Sequence, residues 1–155
     1  MCTACCCRAD ICEETTRSAF LRLLLERQDL EPADLDDRFG WLYVDGCALD
    51  YGRPPVCHFY FCEELLASFP PDDRQLIRVL GRLVDYVGEE ALEHTHLTVI
   101  DGASDFEGIR LDHLMERLET AGAVRDVIAR YFEEGRITQD GLELIAAIPA
   151  EGSHF

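Results

Sequence analysis

Residues 41–61 read WLYVDGCALDYGRPPVCHFYF, and the class of the fold turns on how this stretch is taken. Asp45 and Gly46 lie between two runs holding aromatic and β-branched residues, the short-range pattern of a hairpin closed by a tight turn. Gly52, Pro54 and Pro55 make a connection, after which VCHFYF (56–61) reads as a third strand. Strand alternation would place Cys57, Phe59 and Phe61 on one face and Val56, His58 and Tyr60 on the other. Further on, HLTVI (96–100) has the composition of another strand, ending at Asp101-Gly102.

Helical spacing surrounds these runs. Phe20, Leu21, Leu24 and Leu25 predict a helix over about 16–28, with Thr16 or Ser18 as its cap. Pro32 suits the first turn of a short helix through ADLDDRF that Gly40 ends in a left-handed conformation. CEELLASF reads as a further short helix stopped by Pro70 and Pro71. Asp72 and Asp73 favour the positive end of a helix starting near Arg74. In it Leu76, Ile77, Leu80, Leu83, Val84 and Val87 form an inward stripe, with Arg74, Arg78, Arg82 and Asp85 outside. The last third reads as three helices, IRLDHLMERLETA, AVRDVIARYFEE and DGLELIAAI, broken at Gly122 and Gly135. The expected architecture is α+β: a small central antiparallel or mixed sheet of about three to four strands, surrounded by about five to seven helices. Residues 1–14 are read as a cysteine-rich arm and 15–155 as one acidic domain, with no internal repeat or low-complexity linker.

The charge balance narrows the classes of function. The chain's 155 residues carry 31 acids against 14 basic residues, every one an arginine, for a formal net charge of -17. Residues 1–30 hold five acids and four arginines, so the acidity belongs to the body of the chain. Such a surface repels phosphates and steers basic protein patches toward it, which disfavours direct binding to DNA, RNA or an anionic membrane. The same composition also serves solubility in salty cytoplasm. No run approaches the roughly 18 apolar residues of a membrane span, and the amino terminus lacks the basic-then-apolar pattern of a secretory leader. A reducing cytoplasm is the expected compartment, where eight cysteines are thiols, metal ligands or redox groups rather than a disulfide framework.

Five of those cysteines, Cys2, Cys5, Cys6, Cys7 and Cys12, crowd the first dozen residues. Zinc takes four tetrahedral ligands and iron–sulfur clusters commonly four thiolates, so Cys2, Cys5, Cys7 and Cys12 make a candidate Zn or Fe–S set. No second Cys-x-x-Cys follows, and Cys2-x-x-Cys5 neither follows a strand nor opens a helix as a thioredoxin motif would. An S-acylated anchor would want a neighbouring basic patch that is missing. Cys47, Cys57 and Cys62 read as buried apolar fillers. His94 and His96 could share a strand face and hold a metal with Asp101 or Glu93, though such pairs are more often surface residues.

For catalysis the best carboxylate cluster is Asp101, Asp105 and Glu107, after the HLTVI strand, where α/β folds often place ligands. The sequence holds no Gly-x-Ser-x-Gly, His-Glu-x-x-His, P-loop or dinucleotide fingerprint, so no residue is marked as nucleophile or base. FLRLLLERQDLEPADLDDRFG has the rhythm of the first two helices of a helix-turn-helix. The WLYVDG hairpin stands where the recognition helix would be, and Asp34, Asp36 and Asp37 would meet phosphate.

The leading expectation is a non-catalytic acidic protein that docks on a basic surface of another protein, such as one evolved to hold nucleic acid. Phage anti-defence proteins and other nucleic-acid-mimicking inhibitors are similar in composition. The candidate contact carboxylates are Asp34, Asp36, Asp37, Asp72, Asp73, Glu89, Glu90, Glu133 and Glu134, adjacent acids that raise local potential. Self-association is left open, with like-charge repulsion opposing it. The rivals are a metal or redox protein using the N-terminal cysteines and a small enzyme centred on Asp101.

Overall fold

A computed structural model of the protein describes residues 8–59, 61 and 63–149. Among these the chain is predominantly helical. Three short helices open it: α1 (Ala9–Cys12), α2 (Glu14–Arg17) and α3 (Ala19–Glu26). A hairpin of β1 (Leu42–Tyr43) and β2 (Gly46–Cys47) follows, then α4 (Val56–Phe59), α5 (Glu63–Ala67), α6 (Pro71–Gly88), α7 (Leu111–Glu134) and α8 (Gln139–Ala146).

The expected central sheet is therefore corrected to one two-stranded antiparallel hairpin, with Leu42 opposite Cys47 and Tyr43 opposite Gly46. Its position matches the Asp-Gly signal, although Val44 and Asp45 form the turn and Gly46, at φ 125°, opens the second strand. The described start of VCHFYF, Val56–Phe59, is a helix and not a strand, because the two prolines before it already hold φ near the helical value. The amides of Cys57 and His58 then bond back to the carbonyls of Pro54 and Pro55 at 2.9 Å each. Strand-favouring side chains do not make a strand without a partner edge to bond to. HLTVI fails for a different reason. The His96 ring accepts the Thr98 amide at 3.1 Å and winds Leu97–Val99 into a 3-10 turn.

The helical expectations fare better. Ser18 caps α3 by accepting the Leu21 amide, and Gly135, at φ 73°, ends α7. Three details differ. Pro32 starts only a 3-10 turn (Pro32–Asp34), α6 begins at Pro71, and α7 runs unbroken through Gly122. An isolated helix glycine costs about 1 kcal/mol, which 24 continuous residues packed on a neighbour absorb.

Three apolar clusters hold these parts together. Around Trp41 pack Cys12, Leu25 and Leu49. Leu76 and Leu83 of α6 meet Ala121, Val124 and Ile128 of α7, with Ile148 beyond α8. Between them Ala91, Leu97 and Ile100 join Phe20 of α3 to Leu114 of α7. Helices α6 and α7 run antiparallel, since Tyr131 late in α7 bonds Asp73 early in α6 while Arg117 reaches Tyr86 and Glu89. The inward stripe of α6 holds for Leu76 and Leu83, whereas Val84 is 42% exposed. No described helix is long and apolar enough to cross a membrane.

Candidate functional site

The acids nominated from sequence fall into three groups with different duties. Asp34, Asp36 and Asp37 lie on the surface just before the hairpin. Asp36 Oδ1 accepts the amides of Arg38 and Phe39 at 2.9 and 2.7 Å, and those amides hold its carboxyl below the usual range. Its backbone also pairs with Gly40 in both directions, closing a tight turn. Asp34 accepts the Glu31 amide. The side chain of Asp37 makes no hydrogen bond to any described residue and faces water.

Asp72, Asp73, Glu133 and Glu134 meet at one end of the α6–α7 pair. Asp73 accepts the Tyr131 hydroxyl at 2.9 Å, which holds that phenol's pKa above its ordinary value, and Glu134 pairs with Arg136 on the surface. Glu89 and Glu90 sit at the other end. Arg117 contacts Glu89 at 3.2 Å and Glu90 at 3.9 Å, lies over the Tyr86 ring, and is largely enclosed, so Glu89 serves the fold while Glu90 remains half exposed beside it. Their negative charge is partly neutralised where it stands.

The other sequence candidates separate. Cys12 is buried against Trp41 and Leu25, while Cys2, Cys5, Cys6 and Cys7 lie outside the described residues. Among the described residues no group of three or more histidine, cysteine or acidic side chains is placed to hold a metal. Asp101 follows a 3-10 turn and not a strand, so its expected place at a strand end is corrected; it is exposed, and Asp105 accepts the Gly102 amide as a local cap. His94 is exposed, whereas His96 turns inward.

Two features escaped the sequence. Asp85, expected outside α6, is 8% exposed. It lies 3.6 Å from Arg82 and 3.7 Å from His96 Nε2. His96 Nδ1 accepts from the Thr98 amide, which leaves the ring proton on Nε2, 3.2 Å from the Asp85 carbonyl. The Thr98 hydroxyl faces Nδ1 at 2.8 Å, and the half-buried carboxyl of nearby Glu14 is pushed above its ordinary value by desolvation, with Thr98 opposing that shift. Both ring nitrogens are thus spent on neighbours, and a Cβ on Gly88 would overlap the ring. The cluster braces α2, α6 and residues 96–98 against one another.

The second feature is the hairpin's outer face. Val44 is 102% exposed, Tyr43 54%, Phe39 42% and Leu42 36%. Trp41, fully buried one residue earlier, anchors the hairpin and turns these side chains outward. The Tyr43 hydroxyl reaches the Asp34 carbonyl at 3.3 Å, joining the tip to the acidic turn. Residues 34–45 thus present apolar and aromatic side chains fringed by Asp34, Asp36, Asp37 and Asp45, with Arg38 lying over the Phe39 ring. An apolar pair at and beside a hairpin turn, Tyr43-Val44, was the legible sign, because a turn tip has no core to face.

The chain matches no protein-family model, no curated protein and no solved structure.

Proposed function

We propose that this chain is a non-catalytic binding protein that docks, through its acidic surface, on a basic surface of a partner protein in the cytoplasm. The observation that carries it is the hairpin tip, where Phe39, Tyr43 and Val44 stand exposed among Asp34, Asp36, Asp37 and Asp45. Carboxylates supply steering and exclude wrong partners, while exposed aromatic and aliphatic side chains supply contact energy once water is expelled. A partner surface evolved to hold nucleic acid offers the matching array of arginine and lysine, and occupying it would block the nucleic acid.

The test is capture from native lysate with three immobilised forms: the parent chain, Asp37→Asn/Asp45→Asn, and Tyr43→Ser/Val44→Ser. Both pairs are exposed, so neither removes a core contact. The expected result is a nucleic-acid-binding protein retained by the parent, released by salt and displaced by duplex DNA or RNA, and lost from both variants. Equal capture by all three forms would remove the hairpin from the interface.

A further inference from the structure

Helix α7 carries a second surface of different character, and it stands on its own observations without requiring the hairpin contact. Leu111, Met115 and Leu118 are 66%, 52% and 51% exposed. Their spacing of four and three residues puts them on one face of the helix, and Gly122, four residues further, continues the same line. Over these positions the stripe extends about 16 Å along the axis. The core-facing side of α7 is elsewhere, at Ala121, Val124 and Ile128.

Gly122 is the informative position. It sits in the interior of a 24-residue helix, and no described atom beyond the helix's own backbone lies within 4 Å of where its Cβ would stand. Alanine would favour the helix there by about 1 kcal/mol, and no described residue calls for the missing side chain. A bare backbone at the end of an exposed apolar stripe lets a second helix approach closely. Each apolar residue of the stripe is followed by an acid, Asp112, Glu116 and Glu119, all exposed and forming a parallel row about 100° around the helix.

We infer that this face of α7 receives an amphipathic helix of a partner protein, with its apolar side on Leu111, Met115 and Leu118, its backbone against Gly122, and lysine or arginine along the acidic row. The acidic row decides against a second copy of this chain, which would bring its own acids and its net charge of -17 against the first. A basic helix meets both the apolar stripe and its charged border.

The probe is a fluorescein-labelled synthetic peptide of leucine, alanine, lysine and arginine patterned as an amphipathic helix, beside a peptide of the same composition scrambled. Fluorescence anisotropy with the full chain should give affinity for the patterned peptide at least about tenfold above the scrambled one. Gly122→Gln and Leu118→Gln should each weaken it about tenfold. Gly122→Gln should also unfold at the same or a higher temperature, since a good helix former enters open space, so lost binding cannot be lost folding. Tyr43→Ser/Val44→Ser should bind the peptide as the parent does, which separates this surface from the hairpin. Equal binding of both peptides, or unchanged binding by Gly122→Gln, would overturn the inference. So would a dimer in sedimentation velocity that Leu118→Gln dissociates, because a second copy would then be the occupant.

Discussion

The indole N–H of Trp41 donates to the hydroxyl of Thr15 at 2.9 Å, and both residues are fully buried. Thr15 in turn donates to the Cys12 carbonyl at 2.6 Å, so one hydroxyl accepts from the hairpin and donates to the first helix. The bond spans 26 residues of sequence and fixes the entry to the hairpin inside the cluster of Cys12, Leu25 and Leu49. The exposed tip at Val44 lies three residues beyond this anchor.

Thr15→Val keeps the shape and removes the acceptor, leaving the Trp41 N–H buried without a partner. The expected loss is about 1–3 kcal/mol of stability, with Thr15→Ser losing less because its hydroxyl can still bridge. Urea denaturation followed by the fluorescence of the single tryptophan measures it directly.

Gly40 and Gly135 both hold left-handed backbone, at φ 60° and 73°, but only one is crowded. A Cβ on Gly40 would overlap Cys12 Sγ and stand 2.9 Å from Cys12 Cβ, whereas Gly135 has no described atom within 4 Å. Gly135→Ala should cost about 1 kcal/mol, the left-handed penalty alone. Gly40→Ala should cost about 3 kcal/mol or more, since overpacking adds to the same penalty. Thermal unfolding of the two variants should show that order, and equal midpoints would mean the Cys12 contact relaxes freely.

Glu14 has its pKa raised by burial, against the opposing pull of Thr98 and His96. A carboxyl with a raised folded pKa contributes stability that is fully present below its unfolded value and lost as pH rises through the folded one. Glu14→Gln should therefore be more stable than the parent at pH 7, with the difference vanishing below the ordinary glutamate value of 4.5. Urea midpoints of both proteins across that interval provide the measurement.

His58 is shifted downward, by burial first and by the Arg53 charge second. Here stability is present above the ordinary histidine value of 6.5 and is lost as pH falls through the lowered one. Relative to His58→Gln, the parent should lose stability on acidification below that value. Its imidazole resonances should titrate below the free-histidine range in the folded protein. The two groups act in opposite directions on acidification, so only the differences against each variant isolate them.

Much of this molecule was legible along the chain. The Ser18 cap, the Gly135 stop and the hairpin at Asp45-Gly46 each follow from chemistry confined to a few neighbouring residues. The acid-rich turn at 34–37 was also found, because adjacent carboxylates are visible in composition. Its apolar fringe was missed: Tyr43 and Val44 read only as strand residues of the hairpin, and the direction of the hairpin shows that they face water.

Local sequence determined where helices begin and end, where the chain turns, and that the surface carries strong negative charge. Tertiary structure decided which strand-like runs found a partner: Pro54, Pro55 and the His96 ring turned residues 56–59 and 97–99 locally, and among the described residues no neighbouring strand edge competed for them. It also decided that Asp85 would be buried against Arg82 and His96, and that Glu89 and Glu90 would be taken by Arg117. Such partners lie up to 28 residues away along the chain, beyond the reach of periodicity and composition. Periodicity tells which face of a helix is apolar, but which part of that face finds a neighbour depends on the packing, and on α7 the packing leaves Leu111, Met115 and Leu118 uncovered.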